Sequence, residues 1–79
     1  MPHIIIKLWP GKTKDQKQTL SDAIIQSIKT IMGYGEDSVS IAFEEVPPED
    51  WASLVYKADI QNKWTMLTKK PGYGPGLQL

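Results

Sequence analysis

Apolar and polar positions alternate at the start of the chain. Ile4, Ile6 and Leu8 fall on one face of an extended segment, and His3, Ile5 and Lys7 fall on the other. Pro10-Gly11 is a turn signal that ends this strand, predicted over residues 3–8. The period then changes. Leu20, Ile24, Ile28 and Ile31 recur at helical spacing, flanked by Ala23 and Ile25, while Lys14, Lys17, Gln18, Ser21, Asp22 and Lys29 fill much of the remaining surface. Thr13-Lys14-Asp15-Gln16 has the form of a capping box, with Thr13 as N-cap and Gln16 reaching back, and Gly33 and Gly35 supply the stop. The spacing predicts a helix over 14–32, about 28 Å long at 1.5 Å per residue.

Alternation returns over residues 38–46, with Val39, Ile41 and Phe43 on one face and Ser40, Ala42 and Glu44 on the other, which predicts a second strand. Pro47-Pro48-Glu49-Asp50 leads into a second helical region over about 49–68, its proline and two acids suited to a first turn. Trp51, Leu54, Val55, Ala58, Trp64, Met66 and Leu67 give that region a less clean helical pattern, with a break near Asp59–Asn62. Lys69 and Lys70 suit a helix C-terminus, and Pro71-Gly72 ends it. A flexible tail is expected over about 71–79 unless it docks on a partner subunit.

A strand, a long helix and a second strand make a βαβ unit with parallel strands and a right-handed crossover. The fold class is α/β (α+β). Two strands and one helix cannot cover both faces of a sheet, so a second copy of the chain is the expected source of further strands. No internal repeat or composition shift divides residues 1–79, which read as one domain.

Seventy-nine residues lie near the size where a single core is marginal, and with no cysteine there is no disulfide or thiolate zinc site to reinforce it. Self-association is the remaining route. The lack of disulfides suits a reducing, cytoplasmic setting, and the N-terminus shows no charged leader followed by a long apolar block. No apolar run approaches the roughly 20 residues that span a bilayer, so no membrane partner is expected. Lys and Arg number nine against nine Asp and Glu, and every one of those cations is a lysine. A neutral chain without arginine lacks a nucleic-acid footprint. Any carboxylate it recognises must be held by Lys, hydroxyls or backbone N–H groups rather than a guanidinium fork. There is neither a His/Cys cluster for a metal nor a glycine loop between strand and helix for a phosphate, so no cofactor is expected.

Pro2 is the main candidate for chemistry. Initiator-methionine removal would turn it from an amide into a free cyclic secondary amine at the start of the first strand. A model α-amino group has a pKa of about 7.7–8.0. Apolar surroundings or a nearby ammonium such as Lys12 disfavour its charged form. A base poised near ambient pH is what proton abstraction next to a carbonyl requires. The bland alternative is that Pro2 governs only processing and strand conformation.

Pro2-His3-Ile4-Ile5-Ile6-Lys7, the Gly11-Lys12 turn, Asp15-Gln16-Lys17 and Ser38-Val39-Ser40-Ile41 together resemble the 4-oxalocrotonate tautomerase family. Pro48-Glu49-Asp50-Trp51 and Lys69-Lys70-Pro71-Gly72-Tyr73 resemble its longer dimeric branch, the phenylpyruvate-type enol tautomerases. The similarity covers nearly the whole chain, and the order and spacing of these short motifs carry it. The resemblance implies a βαβ fold in which two protomers pair into one four-stranded sheet with helices on one face, and Pro2 as catalytic base. It places Lys12 where relatives hold a substrate carboxylate with arginine, Ser40 where they have a second arginine, and Trp51 near an aromatic of the pocket wall. Lysine keeps the charge and loses the fork, while serine offers one neutral hydrogen bond. The departures disfavour dicarboxylates and favour monocarboxylate or aromatic enols. Each position also has a structural alternative: a solvated lysine, a surface serine, a packing tryptophan. Trp9 and Trp64 are expected to pack, His3 to lie on the sheet surface, and Glu44, Glu45, Glu49 and Asp50 to form a hydrated rim.

The expected function is a cofactor-independent isomerase, an enol–keto tautomerase of small 2-keto acids, working as a homo-oligomer, a dimer first. Its rivals are a related hydratase or decarboxylase, and a non-catalytic dimerising or small-ligand-binding module on the same fold.

Overall fold

In the computed structural model, which describes residues 1–74, two strands pair in parallel: β1, His3–Leu8, and β2, Ser40–Glu45. The register runs from His3↔Ser40 through Ile4↔Ile41 and Ile6↔Phe43 to Leu8↔Glu45. Successive residues point to opposite faces, so Ile4, Ile6, Leu8, Ile41 and Phe43 share one half-buried face. His3 and Ser40 are exposed on the other face, together with Ile5 at 49% exposure.

The parallel connection between the strands is α1, Lys14–Met32. Both halves of its capping box form: Gln16 N–H donates to Thr13 Oγ1 at 3.1 Å, and Thr13 N–H donates to Gln16 Oε1 at 2.9 Å. Gly33 ends the helix in the left-handed region, at φ 76°, with its N–H on the Lys29 carbonyl. That conformation costs a residue with a Cβ more than it costs glycine. Lys17 Nζ reaches Glu45 Oε2 at 2.9 Å, tying the start of α1 to the end of β2. No residue of α1 is fully buried, and Ile31 is 80% exposed.

The second strand starts later than its alternation suggests. Glu36–Ser38 winds into a 3₁₀ turn, and the Ser38 hydroxyl donates to the Gly35 carbonyl at 2.7 Å. A serine that bonds its local backbone in this way has left the ladder, so pairing begins at Ser40. At the far end the strand stops at Glu45, one residue short of the expected limit.

The chain divides into two compact units, Met1–Glu45, described above, and Val46–Leu79. The second opens with Pro47-Pro48 and one α-helical turn, α2, Pro48–Trp51. The helix continues not as an α-helix but with π winding over Ala52–Gln61, then turns at 62–63 into a 3₁₀ segment, Trp64–Met66. The Asn62 N–H donates to the Lys57 carbonyl, five residues back. This winding corrects the expected apolar face. More residues per turn advance the phase, so Trp51, Val55, Tyr56 and Ile60 turn inward while Leu54, at 56% exposure, and Ala58 turn out. Among the described residues the buried hydrophobics are Val46 and Val55.

The capping box gives a direct check on α1. Thr13→Ala should cost about 1 kcal/mol of stability, read as a lower urea midpoint at fixed protein concentration with an unchanged slope.

Candidate active site

Pro2 stands immediately before β1 and is half-buried. Its nitrogen lies in the peptide bond to Met1, which is 91% exposed, and its carbonyl accepts the Ser40 N–H at 3.2 Å. The ladder therefore fixes Pro2 at one end of the sheet. At the same end His3 Nδ1 lies 2.6 Å from Ser40 Oγ, across the strand pair. A hydroxyl can donate to an unprotonated Nδ1 or accept from a protonated one, so this contact survives either state of the ring. Ser40 thus lies beside Pro2, and its hydroxyl is shared with His3. Sequence reading assigned His3 to the sheet surface, where it lies; the link to Ser40 became visible only with the register.

Lys12 follows β1 at its other end, after Gly11, whose φ of 125° favours a residue without a Cβ. Six strand residues at a 3.3 Å rise span about 20 Å, so Pro2 and Lys12 of one protomer are not brought together. Lys12 instead borders a groove of about 240 Å³ between α1 and the sheet, lined by Leu8, Lys12, Gln16, Lys17, Leu20 and Phe43. Leu8, Leu20 and Phe43 provide apolar walls, and two lysines provide charge. Lys17 is neutralised by Glu45, whereas Lys12 has no ion-pair partner among the described residues. Glu45, expected in a hydrated rim, is exposed as expected and in addition pairs with Lys17. A larger hollow, about 450 Å³ over Asp15, Gln16, Thr19, Leu20 and Ala23, is a shallower feature of α1 alone. It has no cation to hold an anionic ligand.

Trp51 lies in the second unit, half-buried, at the junction of α2 and the π-helical stretch. Its indole Nε1–H donates to Tyr73 Oη at 3.0 Å. The Tyr73 ring in turn meets Tyr56 with centroids 5.8 Å apart at 46°. Gly74 passes so close that a Cβ there would strike the Tyr56 hydroxyl. The expected flexible tail is therefore held at Tyr73; its remainder, 75–79, lies outside the described residues. Tyr73 was missed as a partner of Trp51 because the two are 22 residues apart and no local pattern joins them. Trp64 carries Lys70 Nζ 5.5 Å from its ring, a cation–π arrangement. Trp64 and Trp9 are 39% and 42% exposed in the single chain.

Among the described residues no group of three or more His, Cys, Asp or Glu could hold a metal ion, and no helix is long and apolar enough to cross a membrane. The arrangement offers one end of a sheet where Pro2 is held by the neighbouring strand, and a cation-bordered apolar groove at the other end.

Comparison with known proteins gives these features a setting. A family model described as "Tautomerase enzyme" matches residues 2–55, a span that begins at Pro2 and includes Lys12, Ser40 and Trp51. Tautomerase PptA of Cronobacter sakazakii is 42% identical over 74 residues, covering 92% of this chain and 97% of that relative. Among solved structures, the 4-oxalocrotonate tautomerase isozymes of Methylibium petroleiphilum give a TM-score of 0.59 at 28% identity, over 63% of this chain and 81% of theirs. YwhB, a homologue of 4-oxalocrotonate tautomerase, shares the fold with a TM-score of 0.61 at 24% identity, over 68% of this chain and 88% of its own.

Tyr73→Phe keeps the ring contact with Tyr56 and removes the acceptor of the Trp51 indole. The loss should be about 1 kcal/mol, seen as roughly fivefold faster hydrogen exchange at the Trp51 Nε1 resonance of the labelled protein; unchanged exchange would mean that the bond holds nothing in place.

Proposed function

We propose, because this chain belongs to the tautomerase family of enzymes, that it interconverts the enol and keto forms of 2-keto acids with Pro2 as general base and without a cofactor. That it is an isomerase of the tautomerase type follows from the family. The substrate class and the base go beyond what the family fixes. The single observation that carries it is the placement of Pro2, half-buried and held by the Ser40 N–H at the end of the sheet, where the family match begins.

Once Met1 is removed, the Pro2 nitrogen is a secondary amine with a lone pair. Partial burial disfavours its ammonium form and keeps that pair available. The amine takes the enol hydroxyl proton; the oxygen's electrons close the C=O bond while the C=C pair moves to the neighbouring carbon. That carbon then receives the proton from the prolinium, and the free amine returns. Nothing is oxidised, and no group leaves.

Lys12 attracts the substrate carboxylate as a point charge. Ser40, shared with His3, contributes a neutral hydrogen bond. Trp51 offers an indole face to an aromatic or alkyl end. Because β1 separates Pro2 from Lys12 within a protomer, a substrate that meets both draws Lys12 from a second copy. A homodimer is the simplest assembly that supplies it. The open edges of a two-stranded sheet and the exposed apolar residues of α1 support the same assembly.

The test follows the loss of phenylenolpyruvate absorbance. Pro2→Ala should lower kcat/KM by about 10²-fold or more; equal rates above background for the two proteins would end the assignment. Lys12→Met should raise KM about tenfold and leave kcat nearly unchanged, the pattern of lost uniform binding. A non-catalytic binding module would show no turnover in either protein.

A further inference from the structure

The groove beside Lys12 holds a second lysine whose charge is already answered. Along β2, the alternation that puts Ile41 and Phe43 on the helix-facing side puts Glu45 there too, opposite Leu8 in the register. An apolar strand face thus ends in a carboxylate. Lys17 reaches it from α1 at 2.9 Å, with side-chain exposures of 25% for Lys17 and 43% for Glu45. Gln16, which also lines the groove, has its carbonyl oxygen committed to the Thr13 N–H. Lys12 and Lys17 against Glu45 leave a single uncompensated positive charge beside walls of Leu8, Leu20 and Phe43.

We propose that the Lys17–Glu45 pair is a specificity determinant that limits this groove to monocarboxylates. The inference rests on reading the groove as the place where a substrate carboxylate binds, and it names which acids that site takes. One carboxylate pairs with Lys12 while the hydrocarbon or aryl part lies on the apolar walls. A second carboxylate on the same ligand meets the Glu45 anion, or must displace it from Lys17, and either is unfavourable. Glu45 acts here through Lys17, as a positioning residue. If Glu45 loses its charge, Lys17 becomes a second cation and the groove accepts a dianion. Because both partners are partly exposed, the effect is largest at low ionic strength and fades as salt is added.

The test is a binding measurement independent of turnover. ¹⁵N-labelled protein is titrated with 3-phenylpropanoate and with its para-carboxylated analogue, and Kd values are taken from amide shifts around Lys12, Gln16 and Leu20. The wild type should favour the monoacid. Glu45→Gln should move the affinity ratio toward the diacid on the order of tenfold, tightening the monoacid by much less than the diacid. Glu45→Asp, which keeps the charge, should keep the wild-type ratio, and Glu45→Gln combined with Lys17→Met should restore it. A loss of packing alone would not produce this sequence of ratios. Ratios within twofold across all four proteins, or shifts lying away from the groove, overturn the proposal. If the ratios move as described while Pro2→Ala leaves turnover intact, the groove inference stands and Pro2 fails as base. If Pro2→Ala abolishes turnover and the ratios do not move, the reverse holds.

Discussion

Parallel pairing of six residues against six, from His3↔Ser40 to Leu8↔Glu45, is the constraint on which the rest of the first unit depends. Parallel strands need a long crossover, and α1 supplies it with capped ends. One end of the ladder holds Pro2 by its carbonyl and sets His3 against Ser40. The other end places Leu8 beside Glu45, and Glu45 where Lys17 can reach it. A slip of one residue would reverse every side chain of a strand, separating His3 from Ser40 and turning Glu45 away from α1. The candidate chemistry at both ends is therefore a consequence of one register.

The same pairing leaves the unit unfinished. A two-stranded sheet has an open edge on each strand, and such small sheets are marginal without more strands or a covering layer. Among the described residues, burial of hydrophobics is confined to Val46 and Val55, while Ile5, Leu20, Ile31, Leu54 and Met66 stay exposed. That apolar surface is available for association. About 20 Å separates the ends of β1, which keeps Pro2 and Lys12 of one chain apart.

Much of this was legible in the sequence where the signals are local. The alternation of Ile4, Ile6 and Leu8, the Thr13–Gln16 box and the stop at Gly33 each act over a few residues, and β1 and α1 form with those boundaries. Ser38 left the strand because its side chain found the Gly35 carbonyl, a competition that alternation alone does not reveal. The face of residues 52–61 was misjudged because a 3.6-residue period was applied to a stretch wound as a π-helix, which exposes Leu54 and turns Tyr56 and Ile60 inward. The contacts made by the candidate residues join positions far apart in the sequence within each unit: His3 with Ser40 and Lys17 with Glu45 in the first, Trp51 with Tyr73 in the second. Of these only Glu45 left a trace, as an acid on an otherwise apolar strand face.

The chemistry depends on whether the nitrogen of Pro2 carries a lone pair that can accept a proton. With Met1 attached, that pair is delocalised into an amide and is no base. The most direct measurement compares the chain beginning at Pro2 with the chain that retains Met1, each verified by intact mass, for kcat/KM on phenylenolpyruvate. The account predicts turnover by the free-amine form and a fall to background in the Met1-bearing form; equal turnover by both would contradict it.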